Sequence, residues 1–554
     1  MKRFLMIFLF FLFVPAFSWG TDPYEAQLDR GLMSSEAYSY LLIEKSKADP
    51  THAREILEEA LKYSPELPAV YFQLSKTSFS FSMRGMFEAF AYMLRGIEAY
   101  RRNFWWSFTA AGSLFMSFII SFIVSIGIII LVRLFRDLPL FSHDIMEQKS
   151  RVLLLFLLLS ALTGPLLLMG GLLIILGLYM KKTDKAVVYL SLLFLVSLPW
   201  FLKTSSMFFR IPASDVFKAV VQVNESKDNR YALSVLGNRD DEIALFSYAL
   251  ALKREGRYEE AIDIYNKLIS EKTDPRIYNN LANCYFAKND IGRAKQLYEK
   301  AIQIKPLVSA YYNLSQVSRM ALDLEKGEEY FLFAQRLDSD AVSGFQAIFS
   351  NNPNRFVIDE VLSTSDLWKY ALGKATRPSP FGLSIIQPVF TSLIAFFFGA
   401  LFFILNGHMN RRAYKCEKCG TILCQKCDRK VPFGRMCPQC YKSLIKLHEL
   451  DARERIVRLQ AVYEHQKRTR RIMNILSFTI PGLTQIYSGN ILKGLLFLWA
   501  FLFFLFVYLM SSIFFMGVPY PFHPWLNWGS LLSLALVYFV SLIMTRGRLS
   551  KGWL

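Results

Sequence analysis

The chain has 554 residues and carries 64 Lys and Arg against 45 Asp and Glu, a formal charge of +19, yet only 20% of it is charged and 53% is hydrophobic. The apolar residues are clumped into uncharged runs of bilayer-spanning length, which excludes a purely soluble enzyme, a disordered chain and a secreted disulfide scaffold. No nucleophile stands with a base in a catalytic pattern. The fold class expected is mainly α: multi-pass transmembrane helices, a helical-repeat solenoid and a small cysteine-rich domain.

Residues 1–20 read as a signal peptide or signal anchor, with Lys2 and Arg3 ahead of a short apolar core and small residues at Ala16 and Ser18. Residues 21–104 form a divergent repeat-like helical region, in which Ala53, Leu57, Ala60 and Pro65 match one helix and its stop. Ala89, Met93 and Gly96 match a later one. Apolar segments follow at about 106–132, 152–180 and 186–202 within a region 105–203, then at 383–406. Two more, 492–516 and 527–545, make a C-terminal hairpin within 473–546. None has an ionisable group near its middle, so a pump or coupled transporter is not expected.

Basic residues orient these spans. Residues 408–472 hold 17 Lys and Arg against 6 Asp and Glu, a balance of +11, and are expected in the cytoplasm. If residues 21–104 are outside and every later segment crosses once, 408–472 would end outside. One segment must break the count. The expected one is 152–180, interrupted by Gly164-Pro165 and Gly170-Gly171. A hairpin there leaves 204–380 outside. The alternative keeps 152–180 straight, places 204–380 in the cytoplasm and makes 383–406 fail to cross.

Between about 242 and 340 the sequence repeats every 33 residues. Ala261, Ala294 and Gly327 correspond, then Tyr265, Tyr298 and Phe331, then Leu268, Ala301 and Ala334. Each set lies on one face of a helix. An earlier helix in each unit carries Leu281, Ala282 and Tyr285 in the second repeat and Leu314 and Ser315 in the third. This pattern, with Gly256-Arg257-Tyr258-Glu259-Glu260-Ala261-Ile262 and the stop at Pro306, resembles the tetratricopeptide repeat family. The resemblance implies paired helices over 204–380 and a groove that holds a protein or peptide. The family period is usually one residue longer. Gly327 in place of the usual Ala predicts looser packing in the third unit. The flanks 213–240 and 354–373 are expected to be helices that cap the array. Cys284, inside a repeat helix, is read as core.

Six cysteines cluster as Cys416-x-x-Cys419, Cys424-x-x-Cys427 and Cys437-x-x-Cys440, a strong metal signal. Two such turns complete a tetrahedral Zn²⁺ site, and the pairs Cys416/Cys419 and Cys437/Cys440 leave a ribbon-like spacing over 411–442. Cys424 and Cys427 would compete for that site, finish a second one with His408 or His448, or serve as a redox pair. From Arg411 to Tyr441 the pattern also looks like the later part of a FYVE-type finger. It lacks the first CxxC pair, and Ala413-Tyr414 replace the histidines of such domains, so phosphoinositide reading is not expected.

Residues 443–472 read as one basic cytoplasmic helix ending in Lys467, Arg468, Arg470 and Arg471, placed to meet anionic lipid headgroups. These charges abut the membrane, so nucleic acid is not read as the partner. Pro481-Gly482-x-x-Gln485-x-Tyr487-x-Gly489 with Lys493-Gly494 resembles the start of membrane hairpins near the TM2-domain group. Together these features predict a bacterial inner-membrane scaffold, with the repeats in the periplasm and the ribbon in the cytoplasm. The alternative is a zinc- or redox-responsive sensor that couples the ribbon to the repeats.

Overall fold

Along residues 22–107 and 210–374, short helices alternate with Pro, Gly, Asp and Ser stops, and these two stretches fold together as one unit. Residues 108–209 and 375–554 form a second. The computed structural model describes residues 22–148, 151–374, 387–408, 413–424, 436–445, 451–513 and 523–550. The expected signal segment, Cys427 and His448 lie outside these residues, as does the side chain of His408.

In the first unit, six helices form three consecutive pairs: α1 (Glu242–Arg254) with α2 (Tyr258–Glu271), α3 (Pro275–Ala287) with α4 (Ile291–Ile304), and α5 (Val308–Met320) with α6 (Leu324–Leu337). Local chemistry sets their ends. The side chains of Asp241, Asp274, Asp290 and Asp323 accept hydrogen bonds from first-turn N–H groups of α1, α3, α4 and α6, which satisfies donors the helix itself leaves open. The first helix of each pair is followed by a left-handed residue at the repeat period: Gly256 (φ +79°), Asn289 (φ +65°) and Leu322 (φ +63°).

Packing follows the small-and-aromatic pattern. Ala261, Tyr265, Leu268, Ala282, Ala294, Tyr298, Ala301 and Ala334 are fully buried, Leu281 nearly so, and Tyr285 packs against the α3–α5 core. Phe331 packs beside Tyr312 and Ala334. Gly327 corrects one expectation, because α6 lies closer to α5 there, not further away. A Cβ added to Gly327 would stand 2.6 Å from Arg319 Cγ and 3.2 Å from the Ser315 carbonyl oxygen.

Residues 21–104 were expected to be a region of their own. Their helices Glu36–Ala48, Ala53–Tyr63, Pro68–Ser78 and Met83–Ala99 do pair in order, but they belong to the same unit as the array. Arg355 bridges to Glu25 and Asp29, and Asn229 Nδ2 donates to the Arg30 carbonyl at 3.0 Å. Lys227 lies 2.7 Å from Glu36 and 2.6 Å from Glu225.

The second unit is built on an apolar core that includes Ile129, Leu167, Leu173, Val187, Phe402 and Leu498. Four of its described helical segments are long and apolar enough to cross a membrane: Phe104–His143, Pro388–Asn406, Ile491–Ser511 and Pro524–Gly547. The segment 152–180 consists of two helices, Arg151–Leu162 and Pro165–Gly177, parted at Thr163-Gly164, where Gly164 has φ +119°. The chain doubles back there, since a Cβ on Gly171 would meet Ser160 and Phe156. The segment 186–202 was expected as one apolar span. It consists of two helices, Ala186–Val196 and Leu198–Arg210, bent by 56° and together long and apolar enough for one span. Pro199 explains the bend, because it lacks an N–H and its ring collides with the carbonyl four residues back.

The basic helix also differs from expectation. It starts at Ala452, capped by the Asp451 side chain, and continues to Phe478. Among the described residues ahead of it is the short helix Pro438–Leu444. Beyond it, Gly482 (φ +90°) and Gly494 meet backbone to backbone, leaving no room for a Cβ on either.

The three left-handed stops supply a test. A branched residue in this conformation costs about 1–2 kcal/mol, so Leu322→Gly is expected to stabilise the array by about 1 kcal/mol. Nothing lies within 4 Å of a Cβ added at Gly256, so Gly256→Ala is expected to lose a similar amount, about 1 kcal/mol, through backbone strain alone. Thermal denaturation of the purified variants should show shifts of opposite sign. Shifts of the same sign would contradict the assignment of these turns.

Candidate peptide groove and metal centre

Two sites emerge, one in each unit. The first is the face made by α1, α3 and α5, the leading helices of the three pairs. It is filled by the chain itself. Residues 354–373, expected to be a helical cap, instead split into a short helix Pro353–Phe356, an extended stretch 357–362 and a helix Thr364–Gly373 with a capping box at Ser363 and Asp366.

The extended stretch is held by asparagines. Asn313 on α5 accepts from the Ile358 N–H at 2.7 Å and donates to the Ile358 carbonyl at 2.9 Å. Two residues on, Asn280 of α3 does the same to Glu360, with both bonds at 2.8 Å. Asn279 and Asn283 also donate to the Ile358 carbonyl, each at 3.0 Å, and Asn224 accepts from the Leu362 N–H at 2.8 Å. In an extended chain the polar backbone groups of alternate residues point the same way. Residues 358, 360 and 362 therefore present one edge, and side-chain amides take the place of a neighbouring strand.

A buried charge fixes the register. Asp359 is paired with Lys253 at 2.8 Å and Arg254 at 3.3 Å, and Asn283 donates to it at 2.8 Å. The Lys253 side chain is fully buried, and Arg254 also donates to the Val223 carbonyl at 2.9 Å. Burial pushes the Asp359 carboxyl upward. The two cations and the hydrogen bonds outweigh it and hold the group below the ordinary carboxylate range. Neighbouring Glu360 is moved the other way, upward by burial, although Ser309 donates to it. Val357 is fully buried, Leu362 nearly so, and Phe356 stacks on Phe286 at 5.0 Å.

None of these groove residues was anticipated. A signal was present. Asn280 and Asn313 stand one repeat period apart inside helices, where asparagine is an unfavourable choice. Cys284 lies beside this cluster, and burial pushes its thiol up to about 12, so it is protonated and a poor nucleophile near neutral pH.

The second site is the cysteine cluster. Two short strands, β1 (Tyr414–Lys415) and β2 (Ile422–Leu423), pair antiparallel and carry the turn between them. Gly420 occupies that turn at φ +77°, and a Cβ there would collide with His465 of the basic helix. The sulfurs of Cys416, Cys419, Cys437 and Cys440 all lie within 4.8 Å of one another. Cys419 and Cys437 are 3.7 Å apart. A tetrahedral centre with metal–sulfur bonds of about 2.3 Å has edges of roughly 3.8 Å, so this donor set fits a closed four-thiolate metal site.

Backbone groups support the sulfurs. The Cys437 N–H donates to Cys416 Sγ and the Cys440 N–H to Cys437 Sγ, both at 3.3 Å. Burial pushes the Cys440 thiol up, together with its sulfur neighbours. At Cys419 burial is outweighed by hydrogen bonds from Thr421 and the other thiols, which bring it down to about 7. Cys424 does not join the four. It is buried apart from them, against Leu140 and Ala413. Val462 of the basic helix packs on the cluster, while Lys467, Arg468, Arg470 and Arg471 are exposed.

Comparison with known proteins bears on the first site. Residues 252–316, from the end of α1 into α5, match the tetratricopeptide repeat family model. The mitochondrial import receptor subunit TOM70 of Saccharomyces cerevisiae, strains YJM789 and ATCC 204508 / S288c, is 38% identical over 66 residues, covering 11% of this chain and 11% of each relative. The chain thus spans about a tenth of the relatives it matches, and its tetratricopeptide repeats at 252–316 imply protein–protein interaction.

Proposed function

We propose that the chain is a membrane-tethered scaffold that docks a protein partner on its repeat-bearing unit and braces its other unit with a structural zinc ion. One observation carries this reading: a tetratricopeptide array shares its chain with four described helices long and apolar enough to span a bilayer. The array offers a surface for a partner.

The shared unit supports one topology. Residues 22–107 and 210–374 fold together, so they lie on one side and the chain between them crosses an even number of times. The helix Phe104–His143 is one crossing. The two-helix segment 151–177 has legs of 12 and 13 residues, about 18 and 20 Å at 1.5 Å per residue, short of the ~30 Å hydrocarbon core. It enters and returns. The bent pair 186–210 then makes the second crossing. Helix 388–408 crosses once more and delivers the basic stretch 408–472 to the opposite side, the cytoplasm by its charge. In a bacterial inner membrane the array is then periplasmic. The exposed basic cluster at 467–471 faces anionic headgroups.

At the cysteine cluster, Cys416, Cys419, Cys437 and Cys440 would be the ligands. Zinc held this way supplies folding energy to a fragment with little core of its own. Cys424 is buried apart from these four and is not needed to complete the site.

Two measurements test the reading. Elemental analysis of the purified protein should find one zinc per chain. Cys437→Ser should lose it, whereas Cys424→Ser and Cys284→Ser should keep it. Metal retained in Cys437→Ser would contradict the ligand assignment. Photo-crosslinking residues placed at exposed α6 positions such as Leu332 should capture a discrete protein in cells. Absence of any captured protein across the array surface would contradict a scaffold.

A further inference from the structure

We infer that the stretch 357–362 is a resident ligand of the array, and that the partner is a protein segment of the same chemistry which displaces it. This deepens the scaffold reading by naming what the groove recognises: an extended segment with two apolar residues, an acidic residue and a further apolar residue three positions later.

The contacts define that chemistry. The groove reads five backbone groups, the N–H and carbonyl of residues 358 and 360 and the N–H of 362, through Asn224, Asn280 and Asn313. Any extended chain without proline at 358, 360 or 362 offers those groups whatever its side chains. Selectivity comes from three places. Lys253 and Arg254 demand a carboxylate at the position of Asp359. The pockets of Val357 and Leu362 demand apolar side chains. Ile358 packs with Tyr312, Ala334 and Val342.

The manner of attachment makes exchange feasible. Among the described residues, the backbone of 357–362 makes no hydrogen bond to another backbone group; side chains alone hold it. It is not a strand of a sheet or a turn of a helix. Its two ends are anchored independently. On one side Asn354 and Arg355 bond to residues 25–29, and on the other Trp368 Nε1 donates to Ser107 Oγ at 3.1 Å while Tyr370 stacks on Phe217 at 5.3 Å. Release of the middle leaves these anchors in place. Release without replacement would strand Lys253, fully buried, beside Arg254 with no carboxylate, which is costly. Transient release therefore costs less than global unfolding but is disfavoured, and an arriving acidic segment that restores the pair favours the open state. The tether also holds the resident at an effective concentration in the millimolar range, so that only a well-matched partner competes.

The test uses the full-length protein in detergent and a fluorescent peptide with the sequence of residues 355–363. A variant carrying Ile358→Pro and Asp359→Asn loses one backbone donor and the carboxylate of the resident. This variant should bind the peptide at least tenfold more tightly than the parent does. A peptide with Asn at the position of Asp359 should lose at least tenfold, and adding Asn313→Ala to the released variant should do the same. Hydrogen exchange on the parent gives an independent reading. The amides of 358, 360 and 362 should exchange at least a hundredfold faster than those in the middle of α4. Equal protection would show a stretch that opens only with global unfolding and would overturn the inference, even if the released variant proved unfolded. A folded released variant that fails to bind the peptide would overturn it equally. Both assays use purified chain alone, so their failure leaves the scaffold reading intact, and an unsuccessful search for a cellular partner leaves the groove result intact.

Discussion

Lys227 sits between two carboxylates, Glu36 from the N-terminal helices and Glu225 from the edge of the array. The same two acids reach the entry of the first long apolar helix. Asn103 donates to Glu36 at 2.8 Å, and the Phe104 N–H donates to Glu225. The Lys227 side chain keeps only 14% of its surface exposed, and loss of one partner from a fully buried cluster of this kind costs about 3–5 kcal/mol, less where water still reaches the charge. The cluster therefore joins three pieces of chain that are remote in sequence. The rest of the architecture depends on that junction. Because residues 22–107 and 210–374 form one unit, a membrane crossed by the apolar segments between them would have to be crossed an even number of times.

The second buried cluster, Asp359 with Lys253 and Arg254, has a different character. Its cations belong to the array and its anion to a segment held by asparagine amides. Hydrogen bonds to charged groups are stronger than neutral ones and more costly to leave unmade. A site built this way rejects segments that lack the carboxylate and tolerates variety in the backbone it reads. The cysteine centre uses neither device. Its strength lies in four sulfurs brought to one point by two turns, with backbone N–H groups directed at them.

Much of this was legible in the sequence, for physical reasons. Ala261 and Ala294 recur because two helices meet there and only a small residue fits, and that constraint writes a period into the chain. Gly164-Pro165 and the CxxC turns likewise carry their geometry in residue type. Leu322 does not, because its left-handed conformation is imposed by its neighbours. Gly327 was read in the wrong direction, since a missing Cβ signals closer approach as readily as looser packing. The groove segment was silent because its bonds run through backbone groups that every residue possesses. The union of 22–107 with 210–374 was silent too. It rests on contacts across the apolar stretch 108–209, and no local pattern reports on those.

One-sidedness of that body is the claim on which topology, partner access and compartment all rest. Cysteines placed at Thr51, in the N-terminal helices, at Ser350, beside the groove segment, and at Glu464, on the basic helix, test it most directly. Intact cells would be treated with a membrane-impermeant maleimide, with the parent protein as control. The first two positions should label alike from outside, while the third labels only after lysis. Labelling of Thr51→Cys with protection of Ser350→Cys, or the reverse, would show that the two stretches lie on opposite sides and would contradict a single shared unit.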